Sequence, residues 1–144
     1  MSRFLLDINV LIALLDPGHV QHDRAHAWFE AIGHTAWATC PLTENGVLRI
    51  VGHPRYPNSP GTPAAVSEIL QGLRVLAGYE FWTDDLTLLD ATHVDTTRLL
   101  DSGQVTDTYL LALASARRGR LATFDRRMVT SAVIGGSAVV ELLG

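Results

Sequence analysis

Four acidic residues have the type and the placement for chemistry on phosphate esters: Asp7, Glu44, Asp107 and Asp125. Asp7 ends the apolar run Phe4-Leu5-Leu6 and leads into a helix-like stretch from Ile8 to Leu15. Glu44 follows the strand-like Ala36-Trp37-Ala38-Thr39, three residues past a Pro41 suited to a first helical position. Asp107 opens a long apolar helix, and Asp125 closes the strand-like Leu121-Ala122-Thr123-Phe124. In an open α/β sheet, ligands bind in the crevice beyond the carboxyl ends of the strands. A carboxylate cluster there suits a hard cation such as Mg²⁺ or Mn²⁺, which prefers oxygen ligands. Taken singly, each acid also has an ordinary use, as a helix cap or as a favourable charge in a first turn. Together they repel, since a pair at ~4 Å costs about 4 kcal/mol at an effective dielectric of roughly 20. A fold has little reason to gather four without a cation, and metal-dependent phosphodiester chemistry is the reading that follows. The same repulsion is expected to raise some carboxylate pKa values in the folded, metal-free protein.

Smaller features flank these acids. Asn9, two residues after Asp7, is placed to steady a bound water or the Asp7 carboxylate, or is simply a first-turn residue. Thr123 shares a strand face with Asp125 by the two-residue period, and its hydroxyl is placed to orient a ligand. Asp84 and Asp85 also follow a strand-like run, but two adjacent acids at a loop start read as solvated. His19, His22 and His26 fall at helical spacing without the Glu of a His-Glu-x-x-His zinc motif, so they read as a polar helix face. All 11 basic residues are Arg, and Arg117, Arg118, Arg120, Arg126 and Arg127 bracket the strand ending at Asp125. Arg offers a planar fork for phosphate oxygens, which makes these five candidate phosphate contacts. A helix C-terminus alone also accounts for Arg117 and Arg118.

The elements that must position these groups alternate along the chain. Strands are expected at 3–6, 36–39, 80–83, 121–124 and 138–141. Helices are expected at 8–15, 19–32, 41–51, 64–77, 92–100 and 105–117. Pro54, Pro57, Pro60 and Pro63 make residues 53–63 a loop. Short β-rich runs alternating with longer helices predict an α/β fold, a mostly parallel central sheet with helices on both faces. The tight Arg118-Gly119-Arg120 turn sends the helix from Asp107 back antiparallel to the next strand, which brings Asp107 close to Asp125 across 18 positions of sequence.

At 144 residues and 47% apolar composition, the chain reads as one domain, residues 1–144, with a core of its own. A single Cys40 excludes an intrachain disulfide and, with no zinc-like Cys/His spacing, fits a reducing, cytoplasmic setting. The apolar start is interrupted by Asp7 and Asn9 and is too short to span a bilayer, so neither a membrane anchor nor a signal peptide is expected. The net charge of −4 does not itself advertise nucleic acid; the clustered Arg residues do.

Leu6-Asp7-Ile8-Asn9-Val10-Leu11, Glu44 early in a helix, Val105-Thr106-Asp107-Thr108-Tyr109-Leu110-Leu111 and Ala122-Thr123-Phe124-Asp125-Arg126 together resemble the PIN-domain family, in particular VapC-type toxins of bacterial toxin–antitoxin pairs. The likeness runs from Arg3 to Glu141. It implies a PIN-like fold and a Mg²⁺- or Mn²⁺-dependent endoribonuclease, silenced by a small VapB-type antitoxin and often homodimeric. Asp7 and Asp107 would be direct metal ligands, with Glu44 and Asp125 direct or through water. Hydrolysis by an activated water would leave 5′-phosphate and 3′-hydroxyl ends. Leu11, Leu14, Leu15, Trp28 and Phe29 are candidate apolar surface for the antitoxin, or else core. The alternatives are a PIN-like RNA-processing nuclease without an antitoxin and a non-catalytic PIN-like scaffold. A haloacid-dehalogenase-type phosphotransferase lacks support, because position 9 is Asn and the chain has no Lys. A flap-type DNA nuclease would need helices for which the chain has no room.

Overall fold

A computed structural model describes residues 2–144. Five strands, β1 (Phe4–Leu6), β2 (Trp37–Thr39), β3 (Tyr79–Phe81), β4 (Arg120–Thr123) and β5 (Val140–Leu142), form one sheet in the order β3-β2-β1-β4-β5. Every neighbouring pair is parallel. The helices are α1 (Ile8–Leu15), α2 (His22–Ala31), α3 (Pro41–Val51), α4 (Pro63–Arg74) and α5 (Val105–Ala116).

Alternation along the three central strands sorts their side chains between two cores. Leu6, Trp37 and Ala122 face one way and join residues of α1 to α4. Leu5, Ala38 and Leu121 face the other way and pack against Leu110, Leu111 and Leu113 of α5. Leu5, Leu6 and Leu121 are completely buried, and a buried Leu side chain contributes about 1.5–3 kcal/mol relative to an exposed one. These apolar faces hold the strand ends, and therefore the acids beyond them, in fixed relation.

Helix starts follow local chemistry. Asp7 caps α1 by accepting from the Ile8 N–H, and Thr62 caps α4 by accepting from the Ala65 N–H. Pro41 and Pro63 occupy first-turn positions of α3 and α4, where no N–H is needed. At the end of α5, Arg118 takes a left-handed conformation with φ 57° and the Gly119 N–H returns to the Ala114 carbonyl. A Cβ on Gly119 would stand 2.5 Å from the Arg3 carbonyl, so this reversal packs tightly onto the sheet.

One expected element is absent. Residues 92–100 are not an α-helix: the stretch holds only a short 3₁₀ turn, Thr96–Arg98, and a bridge between Val94 and Val133. Asp90 and Asp95 explain the failure. Their carboxylates accept from the Thr92 and Thr97 N–H groups two residues on, a local bond that competes with the helical ladder. Other boundaries differ by a few residues, the largest being α2, which starts at His22 rather than 19, and α4, which stops at Arg74 rather than 77. Among the described residues, no helix is long and apolar enough to cross a membrane.

Candidate active site

The strand order reverses direction at β1. The chain moves outward from β1 through β2 to β3, then crosses to the opposite side of β1 to lay down β4 and β5. Such a switch point leaves a crevice at the carboxyl ends of the two strands involved. Asp7 immediately follows β1, and Asp125 lies two residues beyond β4. Asp107 is in the first turn of α5, the helix that runs back along β4. Topology thus delivers three carboxylates to one crevice.

Asp7 is buried and held from both sides. Its Oδ1 accepts from the Ile8 N–H at 2.8 Å and its Oδ2 accepts from the Thr123 hydroxyl at 2.7 Å. Thr123 is fully buried and also accepts the Asp125 N–H at 3.1 Å, so one hydroxyl ties two of the acids together. Asp125 in turn accepts the Arg127 N–H through Oδ1 at 2.8 Å. Asp107 accepts no hydrogen bond from within the described residues and lines a groove of about 300 Å³ with Asp125, Gln104, Arg127 and Met128.

Electrostatics couples the three. Burial pushes the Asp107 carboxyl up to about 6, and the charges of Asp7 and Asp125 add to the shift. Asp7 is also raised, by burial first and by Asp125 in addition, against the lowering effect of its bonds to Thr123 and Ile8. Both carboxyls are raised as expected, but burial is the main cause and the expected repulsion between the acids only adds to it.

Glu44, in the first turn of α3, has partners of its own. Its Oε2 accepts from the Thr39 hydroxyl at 2.7 Å, lies 3.3 Å from the Tyr79 hydroxyl and pairs with Arg74 Nη1 at 3.5 Å. Sequence reasoning missed all three partners. Thr39 had a weak signal: like Thr123, it is a Thr at the carboxyl end of a strand, with Glu44 in the first turn of the helix that follows. Arg74 and Tyr79 had none.

The donor set suits a hard cation: an all-oxygen group in which Asp107 is unpaired among the described residues and two carboxyls are held above their ordinary range. Asn9, two residues after Asp7, has a side-chain oxygen, Oδ1, that is buried and has no hydrogen-bond partner among the described residues. No three His, Cys, Asp or Glu side chains of the described residues, however, stand close enough to hold an ion in their present positions. Asp7, Asp107 and Asp125 are brought into electrostatic contact but are not drawn into a closed shell.

Residues 4–132 match the PIN domain. This chain belongs to the PIN-domain family. Ribonuclease VapC44 of Mycobacterium tuberculosis is 44% identical to it over 135 residues, 94% of each protein. Ribonuclease VapC39 of the same organism is 41% identical over 139 residues, 96% of this chain and 98% of that one. Ribonuclease VapC38 is 40% identical over 139 residues, 96% of each.

The remaining candidates sort by their place in the PIN domain. Arg117, Arg118 and Arg120 lie at the amino end of β4, on the opposite edge of the sheet from the acids, and Arg120 is roughly 16 Å from Asp125 at ~3.3 Å per residue. Arg117 pairs with Asp85 and covers the Trp82 ring, while Arg120 pairs with Glu141. Only Arg126 and Arg127 follow Asp125, with Arg126 donating to the Gly144 carbonyl. Asp84 accepts from the Tyr109 hydroxyl, so both Asp84 and Asp85 are engaged away from the crevice. His22 and His26 meet the Ala13 and Leu14 carbonyls, satisfying the end of α1. Leu11, Leu14 and Phe29 are buried and are not open surface for a partner, whereas Leu15 and Trp28 pack against the same core while staying partly exposed.

Proposed function

We propose that this PIN-domain chain is a Mg²⁺- or Mn²⁺-dependent endoribonuclease, the toxin of a toxin–antitoxin pair, silenced by a small cognate antitoxin of the VapB type. The observation that carries the metal reading is the unpaired Asp107 carboxyl, raised by burial and by Asp7 and Asp125 at the switch point of the sheet. The RNA reading rests on the relatives, whose names are Ribonuclease VapC44, VapC39 and VapC38.

In this reading Asp7, Asp107 and Asp125 hold the cation, with Glu44 as a fourth acid and Asn9 Oδ1 beside Asp7. When bound, a divalent cation supplies Lewis-acid polarisation of the phosphodiester and makes water a competent nucleophile near neutral pH. Thr123 fixes the Asp7 carboxylate by its hydroxyl and keeps Asp125 in register through the backbone. Arg127, on the rim of the groove, and Arg126 beside it are the phosphate contacts; Arg117, Arg118 and Arg120 are too far along the strand to serve the same phosphate. The antitoxin surface excludes Leu11, Leu14 and Phe29, which the core buries, and can use the exposed parts of Leu15 and Trp28.

The test is cleavage of a single-stranded RNA by purified protein, stripped with chelator and reloaded with Mn²⁺. Cutting that returns with metal and leaves 5′-phosphate and 3′-hydroxyl ends supports the proposal. Metal-independent cutting, or 2′,3′-cyclic phosphate ends, refutes it.

A further inference from the structure

Glu44 is bound in an unusual way: every partner it has among the described residues converges on one oxygen. Thr39, Tyr79 and Arg74 all meet Oε2, while Oε1 has no partner there. The available protons order these bonds. Each hydroxyl has one proton to give. Thr39 gives its proton to Glu44 at 2.7 Å, which leaves the Thr39 oxygen to accept from Tyr79, also at 2.7 Å. The 3.3 Å separation between Tyr79 and Glu44 is the weaker alternative for that second proton. The result is a relay, Tyr79 to Thr39 to Glu44, with Arg74 adding opposite charge to the same oxygen.

Every member of this relay is anchored. Thr39 is fully buried, and β2 and β3 pair in register at Trp37 with Tyr79 and at Thr39 with Phe81. The Arg74 guanidinium lies over both the Tyr79 and Phe81 rings, 5.2 and 5.4 Å from their centroids. The Glu44 side chain is only 15% exposed. A glutamate used only to pair α3 with α4 would need Arg74 alone; a buried hydroxyl relay on the same oxygen does something more specific, because it fixes the carboxylate plane.

We infer that Thr39, Tyr79 and Arg74 are positioning residues that grip Glu44 by Oε2 and so present Oε1 as the oxygen for the cation or its water. This rests on the reading of the crevice as a divalent-metal site. It also mirrors the strand on the other side of β1, where Thr123 at the end of β4 grips Asp7 as Thr39 at the end of β2 grips Glu44.

The experiment is a Mn²⁺ titration followed by electron paramagnetic resonance, with kcat and KM on an RNA oligonucleotide measured beside it. Losing a hydrogen bond to a charged group is expected to weaken Mn²⁺ binding and lower kcat by about tenfold or more in Thr39→Val, with KM for RNA unchanged. Thr39→Ser, which keeps the hydroxyl, should restore both. Arg74→Gln and Tyr79→Phe should shift Mn²⁺ affinity in the same direction, and Tyr79→Phe decides the matter if Thr39→Val does not fold. Parent-like Mn²⁺ affinity in folded Tyr79→Phe and Arg74→Gln, at a concentration where Glu44→Gln binds weakly, overturns the inference. So does parent-like affinity in Glu44→Gln itself. An Arg74→Gln protein with raised KM and unchanged Mn²⁺ affinity would make Arg74 a phosphate contact and likewise overturn its positioning role. Should the parent bind Mn²⁺ without cutting RNA, the proposed activity fails, while the titration still decides how Glu44 is held.

Discussion

Replacing Asp107 by Asn removes one charge from the acid cluster while nearly preserving shape, and it should make the metal-free protein more stable. The Asp107 carboxyl stands at about 6 against an ordinary 3.8, through burial first and then through Asp7 and Asp125. A shift of about two units corresponds to about 3 kcal/mol of preference for the protonated form. Asp107 is half-buried and lines an open groove, and screening there leaves roughly 1–2 kcal/mol. The unfolded chain releases this proton near 3.8 and the folded chain near 6. Below the lower value both states are protonated and there is no penalty. Between the two values the penalty grows with pH, and above the higher one it is present in full. The parent therefore loses this increment of stability on going from pH 4 to pH 8, and Asp107→Asn does not. At roughly 2–4 °C per kcal/mol for a chain near this length, the variant should melt about 2–8 °C above the parent at pH 8. At pH 4 the two should melt together. Adding Mn²⁺ should reverse the order, since saturation at a hundred times Kd stabilises the parent by about 2.7 kcal/mol. Thermal melts of both proteins at the two pH values, in chelator and in Mn²⁺, measure all of this. A variant that melts below the parent at pH 8 in chelator, or a gap that persists unchanged at pH 4, would refute the reasoning.

Thr123→Val should destabilise the protein by about 1.5–3 kcal/mol, because the buried Asp7 carboxylate is deprived of a charge-assisted hydrogen bond, whereas Thr123→Ser should recover most of it in urea unfolding. Neutralising Arg126 and Arg127 together should flatten the salt dependence of RNA binding, by about 0.7 in the log–log slope for each phosphate no longer neutralised by Arg. The Arg117→Gln, Arg120→Gln pair should leave that slope unchanged, since both residues sit at the far end of β4; equal slopes for all variants would remove the phosphate role from Arg126 and Arg127. Tyr56→Phe should cost about 1–3 kcal/mol of stability while leaving RNA turnover at the parent level, because the Tyr56 hydroxyl donates to Asp16 at the end of α1, away from the acids. A drop in turnover larger than the drop in folded fraction would contradict that separation.

The parts of the site that were legible in the sequence are those fixed by one short stretch of chain. An apolar run, an acid and a helix start in order give Asp7; the tight turn at Gly119 gives the pairing of Asp107 with Asp125. Thr123 was legible as a site candidate but not in its role, since its hydroxyl holds the Asp7 carboxylate across the sheet. What could not be read depends on packing between distant segments. Arg74 and Tyr79 reach Glu44 only because α4 and β3 pack beside α3 and β2, and nothing local in either residue announces it. The Arg cluster misled for a geometric reason, since eleven consecutive positions that look compact in sequence span both ends of a strand. Residues 92–100 are not the expected helix because Asp90 and Asp95 are committed to turns, a competition that no hydrophobic pattern reveals. Leu11, Leu14 and Phe29 belong to the core because the sheet is covered on both faces and a short α1 must be buried nearly all round.

The most direct test of the central claim is the turnover of one RNA oligonucleotide by parent, Asp7→Asn and Asp107→Asn proteins, each shown to be folded and free of host nuclease, in Mn²⁺ and in chelator. The parent should cut in Mn²⁺ alone, and both variants should be slower by orders of magnitude, with Asp107→Asn inactive even though it melts above the parent in chelator. Cutting by Asp107→Asn at the parent's rate would contradict the assignment of these acids to a metal-dependent nuclease site.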